Sequence, residues 1–181
     1  MLEVLQIPEA DVVPLRRHFR KDFGTTFLGL KSMIEVDEMD YLNFVHDIDL
    51  NDYLTDDGSL YDMLSTIPQR KIIFTNSDKR HSERVLDFFH VLPLFDLIID
   101  VIALKPYVKP HPEAYDKALA YSGLNTPQGC LFIDDLLENV SQGAASGFTS
   151  ILIGDENPEF MTISDIFELP ALLNSLNGLK E

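Results

Sequence analysis

Basic residues are scarce in this chain: 14 Lys and Arg stand against 30 Asp and Glu, a formal net charge of −16. A surface that negative repels phosphate backbones and anionic headgroups over most of its area, so nucleic acid and membranes are poor partners. An anionic substrate then requires a local cation or metal that inverts the field at its site. Cysteine is almost absent. Cys130, the single one, cannot close an internal disulfide, which fits a reducing compartment. A basic leader and a long apolar run are both missing from Met1 to Val13, which carries Glu3, Glu9 and Asp11 instead. That pattern argues against a signal peptide or membrane span and leaves the cytoplasm as the expected location. No low-complexity tract and no internal repeat is present.

Apolar residues are plentiful. They make up 45% of the 181 residues, enough for the core of one ordinary domain or of one domain with a small insertion. From Pro8 to about Thr66 the spacing is helical. Pro8-Glu9-Ala10-Asp11 reads as a helix start, and Val12, Leu15, Phe19 and Phe23 recur on one face. Further helices are expected over Thr26–Ile34, Glu38–Val45 and Leu60–Ile67. From Arg70 the rhythm changes to strand and helix in alternation. Strands are expected at Lys71–Thr75, Leu97–Ile102, Cys130–Asp134 and Thr149–Ile153. The intervening helices run over Lys79–His90 and Glu113–Tyr121, and Ser164–Leu176 forms the last. Such alternation implies a parallel sheet with helices on its faces. The expected division is a helical subdomain over residues 1–66 and an α/β core over 67–181.

Three strand ends carry polar groups that could share one edge, where parallel sheets bind their ligands. The run Cys130-Leu131-Phe132-Ile133 stops at Asp134-Asp135. Two adjacent acids repel unless a cation relieves them, and oxygen ligands there suit Mg2+, which takes one or two carboxylates and keeps other positions for water or phosphate. Capping of the next helix explains Asp135 but not Asp134. Phe74-Thr75-Asn76-Ser77 offers hydroxyls and backbone N–H groups for a phosphate oxygen, or simply a set of helix caps. Lys109-Pro110-His111-Pro112 presents a lysine from a stiff turn at a helix entry, although a loop lysine is usually just solvated. Hydroxyl, lysine and acid pair in this order, each after a strand, are more specific together than apart.

That combination resembles the haloacid dehalogenase-like (HAD) hydrolases. Gly24-Thr25-Thr26-Phe27-Leu28-Gly29-Leu30, Phe44-Val45-His46-Asp47-Ile48, Phe74-Thr75-Asn76 and Ile163-Ser164-Asp165-Ile166-Phe167-Glu168-Leu169-Pro170 resemble the pyrimidine 5′-nucleotidase-like branch. The resemblance covers nearly the whole chain. It implies an α/β, Rossmann-like parallel core with an N-terminal helical cap, and a Mg2+-dependent phosphate monoester hydrolase. Thr75 and Lys109 match its catalytic motifs, and Asp134 with Asp135 its metal motif. Asn76, Thr25, Thr26 and His46 stand where substrate contacts are expected. The substrate class is a small phosphate ester such as a nucleoside monophosphate.

The family's nucleophile lies in an Asp-x-Asp-x-Thr motif at the end of a first core strand, and no Asp occurs in Met1 to Ile7. Asp47-Ile48-Asp49 lacks the following Thr and reads as a cap-to-core connection with solvated acids. The expectation is therefore a core without its first strand, which in the family lies between the strands ending at Thr75 and Asp134, and a chain that is inactive by itself. The alternative is a non-catalytic relative that binds a phosphorylated ligand or a protein.

Overall fold

A computed structural model describes residues 7–178, with side chains described up to residue 176. The segment Met1–Gln6, on which the expectation of no earlier strand partly rests, lies outside the described residues. The chain divides into two compact units, one ending at Ile48 and one beginning at Asp49.

The first unit is helical. Helix α1, Glu9–Phe23, starts after Pro8 and carries Glu9 and Asp11 in its first turn and Arg20 and Lys21 in its last, charges that complement the helix dipole. Gly24 ends it at φ 80°, donating its N–H to Arg20 O, a left-handed turn that a side chain would resist. Thr25 then caps α2, Thr26–Lys31, its hydroxyl accepting from Leu28 N–H at 3.1 Å. Helix α2 packs through Gly29 onto the buried ring of Phe19. Helix α3, Glu38–His46, is capped by Asp37 and buries Leu42; Tyr41 meets Phe27 at 5.2 Å between ring centroids. The expected helix from Thr26 to Ile34 is shorter than the pattern suggested, because Ser32 turns its hydroxyl back onto Gly29 O and the helix closes there.

The second unit alternates helix and strand. Helix α4 is Ser59–Ser65, strand β1 Ile72–Phe74, helix α5 Lys79–Phe88 and strand β2 Leu97–Ile99. They are followed by α6 Val101–Leu104, α7 Pro112–Tyr121, β3 Leu131–Asp134, α8 Leu137–Ala145, β4 Thr149–Ile153, β5 Met161–Ile163 and α9 Leu169–Gly178. The apolar run expected as a strand to Ile102 stops at Ile99. Asp100 caps α6 through Ala103 N–H and also accepts Lys79 N–H at 3.0 Å, so two backbone donors draw the chain out of the sheet. The last helix also begins later than its pattern. Asp165 is extended (φ −147°) and caps a single turn at Ile166–Glu168, while the residues just before it pair as β5.

Among the described residues all strand pairing is parallel, in two separate pieces: β1 with β2, and β3–β4–β5. The division falls between β1 and β3, the position expected for the family's first strand. Thr75 N–H donates to Ile99 O at 3.0 Å, and Thr149 N–H to Cys130 O at 3.1 Å. Alternate residues of a parallel strand face its partner. Ile72 and Phe74 in β1, and Leu131 and Ile133 in β3, therefore turn their backbone groups toward edges that no other described strand pairs.

Two apolar layers cover the strands. Phe132, Ile99, Leu104, Ala114, Tyr115 and Ala118 form one, with Phe74 packed against it. Leu64, Ile67, Val91, Ile151, Ile163 and Leu169 form the other, so α4 shares a core with β4 and β5. The first layer crosses the division: Phe74 and Phe132 lie 5.8 Å apart between ring centroids. Side chains join what the backbone ladders leave separate.

Candidate active site

Lys109 sits on the loop between α6 and α7 and is buried, with its ammonium donating to Phe74 O at 2.9 Å and to Asp134 Oδ2 at 2.5 Å. The lysine thus bridges the ends of β1 and β3. Its ammonium also lies 4.9 Å from the Phe74 ring centroid and 5.4 Å from that of Phe132, faces that favour a cation. Asp134 is held on its other side as well: Oδ1 accepts Leu136 N–H and Asn139 Nδ2, both at 2.9 Å. Asp134, not Asp135, therefore shapes the entry to α8, whose N-cap position is Leu136 with no side-chain cap. Asp135 presents an exposed carboxylate beside this pair.

Asn76 ties the strand end to the lysine loop. Its Oδ1 accepts Lys109 N–H and its Nδ2 donates to Lys109 O, each at 2.9 Å. Thr75 Oγ1 accepts Ser77 N–H at 3.0 Å, which fixes the hydroxyl at the turn where β1 gives way to α5. Thr75, Asn76, Lys109 and Asp134, separated widely in sequence, are brought together, with Asp135 adjacent in the chain. Thr25, Thr26 and His46 belong to the first unit, where Thr25 serves as the cap of α2 and His46 ends α3. Asp47 and Asp49 are exposed, and Asp49 caps the turn Leu50–Asp52.

Two further residues complete the buried polar chain. Asn139, a buried helix residue, reaches Asp134, and Tyr115 donates its hydroxyl to Asn139 O at 2.7 Å. Burial first, and the negative charge of Asp134 second, hold the Tyr115 phenol well above its ordinary range. The sequence signal for Asn139 was a polar residue between Leu136 and Val140 on an otherwise apolar helix face; for Tyr115 no local signal pointed to the site.

Among the described residues no group of three or more His, Cys, Asp and Glu side chains is placed to hold a metal ion. Asp135 and its neighbour Asp134 offer two carboxylates, a donor set Mg2+ accepts when waters or phosphate oxygens complete its shell. Lys109 already neutralises Asp134, so Asp135 is the residue that fits the ion best. No described helix is long and apolar enough to cross a membrane.

The chain is similar in sequence and in fold to known proteins. Phosphate metabolism protein 8 of Saccharomyces cerevisiae is 27% identical over 186 residues, covering 86% of this chain and 58% of that protein. The chain thus spans little more than half the length of that relative. Among solved structures, a HAD-hydrolase from Bacillus subtilis bound to magnesium superposes with a TM-score of 0.64 at 20% identity, over 96% of this chain and 87% of that one. An L-2-haloacid dehalogenase from Xanthobacter autotrophicus gives 0.60 at 18% identity, over 81% and 71%. A β-phosphoglucomutase from Clostridium difficile gives 0.58 at 21% identity, over 77% and 63%. These structures share the α/β fold. Residues 7–147 match the haloacid dehalogenase-like hydrolase family, and with most of its length so matched the chain belongs to that family.

Proposed function

We propose that this chain carries the phosphate- and metal-binding part of a Mg2+-dependent phosphate monoester hydrolase of the nucleotidase type. The observation that carries the reading is the meeting of two strand ends at one lysine: Thr75-Asn76 follow β1, Asp134 ends β3, and Nζ of Lys109, on the loop between α6 and α7, is bonded to both strands. In the reaction a carboxylate attacks phosphorus, an acid protonates the departing alkoxide, and water then releases inorganic phosphate from the aspartyl-phosphate. Lys109 places positive charge beside the transferring group, and the Thr75 hydroxyl with nearby N–H groups holds its oxygens. Mg2+, held by Asp135 with Asp134, supplies further charge to those oxygens when bound. The magnesium-bound relative and the phosphoglucomutase support the reading by kinship of fold, and Phosphate metabolism protein 8 by name.

The substrate is a small phosphate ester such as a nucleoside monophosphate, and Thr25, Thr26 and His46 are the proposed residues of its selection. The cytoplasm is the compartment that suits Cys130 as a free thiol. The nucleophile comes on a strand that fills the division between β1 and β3, because among the described residues no ladder pairs the backbone groups on the two edges there.

The test is turnover of nucleoside monophosphates and p-nitrophenyl phosphate by the purified 181-residue chain with Mg2+. Background rates are expected, since loss of a covalent nucleophile removes orders of magnitude. A strand bearing Asp-x-Asp-x-Thr, fused or added as a peptide, should restore activity that Lys109→Ala abolishes. Robust turnover by the chain alone, lost on Asp47→Asn, would overturn the reading.

A further inference from the structure

Asn76 stands beside the phosphate-binding turn, yet its amide is turned to the main chain of Lys109. One carboxamide accepts the N–H and donates to the C=O of the same residue, both at 2.9 Å and across 33 positions of sequence. This copies the pairing one strand offers another, at a place where the loop has no strand beside it. Other ties hold the loop to α7, to itself and to apolar neighbours, and Lys117 Nζ of α7 donates to Leu104 O at 3.1 Å and to Lys105 O. His111 N–H donates to Val108 O at 2.7 Å, Tyr107 stacks on His111 at 4.6 Å between ring centroids, and Val108 is buried. None of these fixes how far the loop stands from β1.

Asn76 does fix it. Phe74, two residues earlier on the same strand end, receives the Lys109 ammonium on its carbonyl. The strand end therefore grips the lysine twice, by its main chain at residue 76 and by its side-chain tip at residue 74. With its oxygen and its NH2 each bonded to Lys109, the Asn76 carboxamide is held in one orientation, turned to the loop. We propose that Asn76 is a positioning residue that sets the reach of Lys109, rather than a contact to substrate. The proposal's bearing on catalysis rests on the phosphate-site reading above.

Competitive acetylation of the full chain, read by mass spectrometry, tests it against Lys79, whose side chain is 61% exposed. Lys109 should label slowly in the unsubstituted chain. Asn76→Ala should raise its rate about tenfold, as expected for two lost hydrogen bonds, while Lys79 is unchanged. Asn76→Asp, which keeps the acceptor and loses the donor, should fall between. Lys109 labelling unaffected in a folded Asn76→Ala protein would overturn the proposal. So would Asn76→Ala weakening inorganic phosphate binding with no change at Lys109, the signature of a direct contact. Failure of the unsubstituted chain to bind phosphate would sink the phosphate-site reading alone, with labelling still deciding the clamp. Where Asn76→Ala does not fold, hydrogen exchange of the Lys109 amide in the unsubstituted chain decides. Slowing on the order of 100-fold or more is expected, and an unprotected amide would refute the clamp.

Discussion

The Lys109 ammonium and the Asp134 carboxylate stand 2.5 Å apart with side chains only 8% and 7% exposed. Neither charge could be left alone there without a large desolvation cost. Lys109→Ala should therefore destabilise the second unit by about 3–5 kcal/mol, the range for breaking one side of a buried pair. Asp134→Asn should cost a comparable amount, because with its oxygen kept for Asn139 and the Leu136 N–H its NH2 would face the buried ammonium. Urea unfolding of both single variants and the double variant measures this, and the double should be less destabilised than the sum.

Tyr115 links the same group to pH. The folded protein holds its phenol proton above the ordinary value of 10.0, whereas the unfolded chain releases it near that value. The stabilisation is fully present below about pH 10 and fades as pH rises toward the folded pKa. Tyr115→Phe should flatten this alkaline loss of stability. At neutral pH it should cost about 1–3 kcal/mol, because Asn139 O loses its buried donor. Chemical unfolding from pH 7 to pH 11 reads both effects.

Two glycines are set by close approach. A Cβ at Gly143 of α8 would lie 2.6 Å from Phe132 Cδ1 and 2.8 Å from Ser150 Oγ. At Gly29 a Cβ would run into the Phe19 ring. Alanine at either place should destabilise by about 1–3 kcal/mol despite its better helix propensity. Thermal unfolding should show Gly143→Ala acting on the second unit and Gly29→Ala on the first.

Mg2+ should bind the chain weakly, with a dissociation constant on the order of 1 mM or above, since two carboxylates, one already neutralised, offset little of the ion's reluctance to shed water. Calorimetric titration should show a small heat that Asp135→Asn removes. Micromolar binding would mean that a further carboxylate reaches the site.

Much of this was readable from sequence where the signal is local. Thr149–Ile153 is a strand in both accounts, an apolar run entered through Gly147 at φ 92°. The helices Glu38–His46 and Pro112–Tyr121 begin at cap or proline signals that act over a few residues. Helix α6 hid inside a continuous apolar run, although Asp100 in its midst was a cap in plain view. Strand β5 has three residues and exists by pairing with β4, so no periodicity announces it. The site divides the same way. Strand-end acids, lysine and hydroxyl were legible as motifs. The engagement of Asn76 with Lys109, and of Tyr115 with Asn139, joins positions far apart in sequence, and only the folded chain reveals such pairs.

The divided sheet also bears on how the second unit opens and closes. Each hydrogen-bonded piece is built from neighbours in sequence, β1 and β2 within residues 72–99 and β3 to β5 within 131–163. Among the described residues cooperativity between the pieces then passes through side chains, the two apolar layers and the Lys109 bridge, instead of a shared backbone ladder. Under native conditions they should behave as two foldons with distinct opening free energies. The amides of Ile72, Phe74, Leu131 and Ile133 should exchange fastest within their strands, drawing the seam as a line of early deuteration.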